Sequence, residues 1–166
     1  MKKVIIIGDA GRGKSTLASK LSEKLHIPHY STDDYFYEVK FTKPRDRQDA
    51  LKQISEIYNQ DKWIMEGTTA WLLDPGIELS DTIIFLRYKN ILSQWFILFK
   101  RGLLRKNESI KGTFSLMKHV FYKRYGLGYK KGKMTHSEFI GPYSDKVITL
   151  SSFKEIDSFL NTIKGI

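Results

Sequence analysis

The patterning of the chain predicts an α/β fold of three layers, a parallel five-stranded sheet with helices on both faces. Three observations predict it. Short apolar runs alternate with stretches whose apolar positions recur at helical spacing, as strand–helix–strand crossovers require. The first run, Val4-Ile5-Ile6-Ile7, is apolar without alternation, which suits a strand buried on both faces. Gly8 then opens Gly8-Asp9-Ala10-Gly11-Arg12-Gly13-Lys14-Ser15-Thr16, a match to G-x-x-x-x-G-K-[ST] set between a strand and a helix.

The elements follow in order. From Lys14, the residues Leu17, Leu21 and Leu25 make a helical stripe that ends before Pro28. Ile27 to Thr32 reads as a second strand, delivering Asp33 and Asp34 to its carboxyl end. A polar, aromatic connection through Tyr35-Phe36-Tyr37 and Lys43-Pro44-Arg45 leads to a helix from about Asp46 to Tyr58, with Ala50, Leu51, Ile54 and Ile57 inward. Trp63 to Met65 is the third strand, ending at Glu66-Gly67, and Thr82 to Leu86 the fourth, with Asp74-Pro75-Gly76 expected as a turn between them. Residues 90 to 125 read as two helices. Ile91, Leu92, Trp95, Phe96, Leu98 and Phe99 form a broad apolar face on the first; Phe114, Met117, Phe121 and Tyr125 recur on the second. Gly126 and Gly128 end that pair, and residues 129 to 133 are expected as a loop. Lys146 to Leu150 is the fifth strand, and Ser152-Phe153-Lys154-Glu155 a capping box opening a last helix with Ile156, Phe159, Leu160 and Ile163 inward.

Composition narrows the class. With 166 residues, 41% hydrophobic and 28% charged, one soluble domain is expected, and no segment has the eighteen or more apolar residues of a membrane span. The run after Met1-Lys2-Lys3 stops at Gly8 and reads as a strand, not a leader. The absence of cysteine excludes disulfides and thiolate metal sites and fits a reducing compartment, the cytoplasm by default. His26, His29, His119 and His136 are read as non-ligands, since Pro28 breaks any helical face between the close pair. The net charge of +10 is concentrated: residues 87 to 133 carry 13 Lys or Arg against Glu108 alone.

The motif itself dictates chemistry. Glycines let successive backbone N–H groups converge on one point, and the helix that follows adds the positive end of its dipole, so Gly8 to Thr16 form a phosphate cradle. Lys14 would reach the β and γ phosphates of ATP, and Ser15 would offer a hard oxygen to Mg²⁺. In a parallel sheet ligands bind beyond the carboxyl ends of the strands, where Gly8, Asp33, Asp34 and Glu66 would gather.

With these residues in place, the chain resembles the P-loop kinases of the adenylate-kinase-like group, and more narrowly the topology modulation proteins. The resemblance rests on the phosphate loop, the Asp33-Asp34-Tyr35-Phe36 run, Trp63 to Gly67, and the basic pair of helices after the fourth strand. It implies sheet order 2-3-1-4-5, ATP with Mg²⁺ as donor, and a mobile basic lid inserted at about residues 90 to 135 of a single domain. Adenylate kinases proper carry an arginine-bearing motif after strand two to clamp the acceptor's phosphate; this chain has Ser31-Thr32-Asp33-Asp34 there. An Asp at that place is similar to kinases that phosphorylate a hydroxyl, such as shikimate and gluconate kinases. Glu66 stands where many P-loop proteins have the Walker B Asp, which implies a role in Mg²⁺ hydration beside Ser15 and Asp33.

Asp33 is thus the candidate base, hydroxyl ligand or metal-water ligand, with Asp34 as the neighbouring alternative and a cap at a helix start as the plain structural reading. Arg101 and Arg105, four apart on one helix face, are candidates to neutralise transferring charge from the lid, with Arg124 behind them. The expected activity is transfer of the γ-phosphoryl group to a small, nucleotide-like acceptor, as in adenylate kinases, with a hydroxy metabolite as the other acceptor class. The alternative is an NTP-binding ATPase or switch whose basic helices, interleaved with Trp95, Phe114, Phe121, Tyr122 and Tyr125, engage nucleic acid. A structural relic without nucleotide binding is the third reading.

Overall fold

The computed structural model describes residues 1–39, 42–89, 91–104, 110–125 and 134–163, with the side chains of 91, 101–104, 110, 111, 116, 119 and 123–125 left outside that set. Its centre is a five-stranded parallel sheet. The strands are β1 (Lys3–Gly8), β2 (His29–Ser31), β5 (Trp63–Gly67), β6 (Thr82–Leu86) and β7 (Val147–Leu150), in the spatial order β2-β5-β1-β6-β7. Counted as sheet strands alone this is 2-3-1-4-5, the predicted order. A separate antiparallel ribbon joins β3 (Tyr37–Val39) to β4 (Lys43–Pro44).

β1 shows why the run has no alternation. Val4 and Ile6 face a core built with Leu17, Ala18 and Leu21 of α1 (Lys14–Leu25) and Ile156 and Leu160 of α8 (Phe153–Thr162). Ile5 and Ile7 face the opposite core, with Ala50 and Ile54 of α3 (Arg47–Tyr58), Leu72 and Leu73 of α4 (Ala70–Ile77), and Ile140 of α7 (His136–Ile140). Each face must be apolar because each is covered. α3 begins where expected: the Asp46 side chain accepts from the N–H groups of Gln48 and Asp49.

Four expectations need correction. Asp74-Pro75-Gly76 is not a turn but lies in α4, with Pro75 inside the helix. Burial of Leu72, Leu73 and Ile77 outweighs the local turn preference. Gly76 is the residue that lets the Tyr58 ring close on the helix, for a Cβ there would lie 2.3 Å from Cε1 of that ring. Lys146 Nζ then takes the carbonyls of Ile77 at 2.8 Å, Glu78 at 3.2 Å and Ser80 at 2.9 Å, satisfying the helix end. Second, the end of strand two and the connection after it are more ordered than expected: Thr32 belongs to α2 (Thr32–Phe36), and the β3–β4 ribbon follows, tied by a Glu38–Lys43 ion pair.

Third, Glu155 does not close a capping box on Ser152. The Ser152 side chain does accept from Glu155 N–H at 3.1 Å, but the Glu155 carboxylate takes the N–H of Ser151 at 2.6 Å. The reciprocal box is at Thr135 and Glu138, opening α7, an element the periodicity did not reveal; a 3₁₀ segment Gly141–Lys146 follows it. Fourth, the apolar face expected on α5 (Ile91–Leu104) is turned largely outward: Leu92 and Phe96 are about 70% exposed and Phe99 is exposed too. Only a narrow stripe is covered. Gln94 and Leu98 are buried, and the Trp95 indole reaches α6 (Ile110–Tyr125), donating to Met117 O at 3.2 Å and packing on Phe121. Gly126, Gly128 and the expected loop at 129 to 133 lie outside the described residues.

Candidate functional site

The carboxyl end of β1 runs against β6 at Gly8, the register partner of Leu86. Only a residue without a side chain fits, because a Cβ at Gly8 would stand 1.9 Å from the Leu86 carbonyl oxygen. The loop beyond is tied to the residues that follow β6. Asp9 N–H donates to Leu86 O at 2.9 Å, and the Asp9 carboxylate accepts from Tyr88 N–H at 3.1 Å. The Tyr88 hydroxyl donates to Gly11 O at 2.9 Å.

Gly11 and Gly13 then take φ of +77° and +84°, conformations that L side chains rarely adopt, and Gly13 is the N-cap of α1. No side chain caps that helix and no acidic residue stands in its first turn. Its leading amides and the positive end of its dipole therefore face the loop without a competing carboxylate, as an anion site requires. The Lys14 ammonium lies back across the loop, donating to Asp9 O at 3.1 Å.

Ser15 and Glu66, 51 positions apart, meet: the Ser15 hydroxyl donates to Glu66 Oε1 at 2.9 Å. The sheet brings this about. Glu66 ends β5 and is paired in register with Ile6 of β1 on one side and Ser31 of β2 on the other. It is 6% exposed, so a carboxylate is held beneath the first turn of α1. A hydroxyl and a carboxylate at this spacing are hard oxygen donors of the kind Mg²⁺ takes while keeping waters of its own, so the residues present fit that ion.

Asp33 and Asp34 stand in the first turn of α2, where the Ser31 side chain accepts from Asp33 N–H at 3.3 Å. Carboxylates in that turn are favoured by the helix dipole whatever else they do. Because Ser31 is the register partner of Glu66, Asp33 follows two residues beyond the same sheet edge. Burial, then the nearby Tyr30 and the Asp34 charge, push the Tyr35 hydroxyl above its ordinary range, so Tyr35 stays protonated. Of the lid candidates, Arg101 lies in α5 and Arg124 in α6 with their side chains outside the described residues, and Arg105 lies outside them altogether.

Several side chains at this site carry no motif signal. Arg12 is 2% exposed, and its guanidinium lies against the rings of Tyr88 and Phe153, 4.6 and 4.7 Å from their centroids. Leu98 of α5 closes on Gly11, 3.0 Å from where its Cβ would be. Gln94, one turn earlier on the same helix face, is 1% exposed, and neither amide atom has a hydrogen-bond partner among the described residues. His136 Nε2 lies 3.2 Å from Thr68 O, just beyond Glu66-Gly67. The only hint in the sequence was position: Tyr88 and Phe153 each follow a strand's carboxyl end.

No family model matches the chain. Over 86 residues it is 34% identical to the uncharacterized protein YqaC of Bacillus subtilis, covering 51% of this chain and 48% of that protein. A stretch of 34 residues is 50% identical to adenylate kinase of Streptomyces lividans, 20% of this chain and 17% of that enzyme. The chain thus spans about half of the first of these relatives and a much smaller part of the second. Among solved structures, shikimate kinase from Bacteroides thetaiotaomicron superposes with a TM-score of 0.53 at 17% identity, over 95% of this chain and 93% of that one. A gluconokinase from Sinorhizobium meliloti superposes with a TM-score of 0.56 at 12% identity, over 96% and 87%. These likenesses extend over nearly the whole chain, and the fold is that of the P-loop kinases.

Proposed function

We propose that this chain is a P-loop phosphotransferase that moves the γ-phosphoryl group of Mg-ATP to a small acceptor, a nucleotide or a hydroxy metabolite. The observation that carries the reading is the convergence at one sheet edge of an uncapped helix start, the Lys14 ammonium and the Ser15–Glu66 pair. An anion, its countercharge and oxygen donors for a divalent cation are what phosphoryl transfer asks of a protein.

In this reading the amides of Gly8 to Thr16 hold the polyphosphate, and Lys14 turns from Asp9 O to its β and γ oxygens. Ser15 and Glu66, with Asp33 just past the strand edge that bears Glu66, would hold the cation, which when bound would supply neutralising charge to the polyphosphate. Asp33 would otherwise accept the proton of an attacking hydroxyl. The acceptor oxygen forms the new bond to phosphorus as the bridging oxygen leaves with ADP. The segment at about 90 to 135 of this single domain acts as a basic lid, bringing Arg101 and Arg105 to the transferring group and excluding water. The short match to adenylate kinases and the shikimate kinase and gluconokinase folds agree with this class of chemistry.

The test is ADP formation from Mg-ATP with a panel of nucleoside monophosphates, nucleosides and hydroxy metabolites, with Lys14→Ala as control. Turnover that requires one acceptor and is lost in the control is expected. The exposed Phe96, Phe99 and Phe114 beside so many basic residues favour a second reading, an NTP-binding switch on nucleic acid. Hydrolysis stimulated by a polyanion and by no small acceptor would replace the first reading with that one.

A further inference from the structure

The backbone of Arg12 belongs to the cradle, but its side chain sits in an environment the motif does not call for. The guanidinium is almost fully enclosed, and neither Nε nor Nη2 has a hydrogen-bond partner among the described residues. The rings of Tyr88 and Phe153 both lie against it, with centroids 4.6 and 4.7 Å from Cζ. Stacking of this kind recovers part of the lost hydration, yet it leaves the N–H edge unsatisfied, and a buried charge without a partner is strongly disfavoured. Glu155 feels the Arg12 charge, but its carboxylate is engaged elsewhere, with Ser151 N–H at 2.6 Å and Lys89 at 3.8 Å. The edge of a guanidinium is a fork that matches two oxygens of a phosphate. Gly11 and Gly13, on either side of Arg12, themselves take positive φ, conformations other residues rarely adopt.

The geometry points to Arg12 as a direct ligand of the bound nucleotide, gripping phosphate oxygens at the nucleoside end of the polyphosphate. This rests on the kinase reading above and adds to it. The assignment of the end follows from the sheet order. Ser15 and Glu66 stand on the β5 side of β1, whereas Tyr88 and Phe153 follow β6 and β7 on the other side. A polyphosphate laid along the loop with its metal at Ser15 and Glu66 presents its opposite end to Arg12. Packed against the two rings and enclosed, the side chain is already ordered before the ligand arrives, so little freedom is lost on binding.

The experiment is calorimetric titration of the full chain with Mg-ADP, and with magnesium and inorganic triphosphate as a probe that has no base to stack. It compares the wild type with Arg12→Met, which keeps length and packing, and records the melting temperature of each. The expected result is at least tenfold weaker binding of both probes to R12M, with a melting temperature no lower than that of the wild type. A side chain that only rivets α8 to the end of β6 would do the reverse: binding within twofold of the wild type and a lower melting temperature, which overturns the proposal and leaves the kinase reading standing. Loss confined to Mg-ADP, with triphosphate binding unchanged, also overturns it, since the contact would then be to the nucleoside. If the wild type itself takes up neither probe, the kinase reading fails, and the proposal with it. Should R12M not fold, Arg12→Gln is judged by the same thresholds.

Discussion

Replacing Gly8 with alanine tests the claim that the phosphate loop is built on a close approach of two strands. The new methyl group would lie 1.9 Å from the Leu86 carbonyl oxygen, 2.7 Å from its carbon and 2.9 Å from its nitrogen. All three are backbone atoms of β6, which is paired with β1 on one side and β7 on the other. No side chain can swing aside, so the strands must part or the loop must leave its place. Gly8 also has φ of +148°, outside the comfortable range of alanine. Overpacking of this kind costs about 1–3 kcal/mol and an unfavourable backbone conformation a similar amount, so a loss of roughly 2–5 kcal/mol is expected. For a domain of this size that is a fall in melting temperature of about 5–15 °C.

The assay is thermal unfolding followed by circular dichroism, with Gly141→Ala as control. Gly141 has φ of −51° and nothing within 4 Å of its would-be Cβ, so alanine there should be neutral or slightly stabilising. The same Gly8 variant should lose uptake of Mg-ADP, because Asp9 N–H bonds the Leu86 carbonyl that the methyl group displaces. A Gly8→Ala protein melting within 2 °C of the control would refute the reasoning.

Two further outcomes are expected. The Glu155 carboxyl is held below its ordinary value of 4.5 by the Ser151 N–H, then by Ser152. A carboxylate with a depressed folded-state value stabilises fully above 4.5 and loses that contribution as pH falls through the lower value. The melting temperature of the wild type should therefore exceed that of Glu155→Gln at pH 7, and the gap should close as the pH falls below 4.5 and through the lowered value; a gap that stays constant on acidification would contradict this. Gln94→Met removes a buried amide with no partner among the described residues and keeps its volume. It should stabilise by about 1–3 kcal/mol, read as a higher melting temperature, and a lower one would show that the amide is satisfied.

Parts of the structure were legible because their causes are local. The run Val4 to Ile7, the glycines that follow and the leucine stripe of α1 each state their conformation within a dozen residues, so strand, loop and helix were readable together. The strand order was accessible only through resemblance, since which strands pair depends on which helices cover which face. Asp74-Pro75-Gly76 misled for a similar reason. The fragment favours a turn, but the core that takes Leu72, Leu73 and Ile77 and the three bonds from Lys146 favour a helix, and Lys146 is distant in sequence. On α5 the periodicity announced an apolar face without saying which part would be covered. Among its described side chains Gln94 and Leu98 are buried, while Leu92, Phe96 and Phe99 are exposed.

From spacing alone it could be read that a glycine loop follows a buried strand and leads into a helix opening with Lys14 and Ser15. What surrounds that loop depended on the tertiary fold. It put Glu66 under Ser15 through the pairing of β5 with β1, and it buried Arg12 against a ring that follows β6 and a ring that follows β7. A charge has no fixed meaning until its neighbours are known. In the sequence Arg12 is one variable position of a motif; in the fold it is a buried cation with an unsatisfied edge beside Lys14.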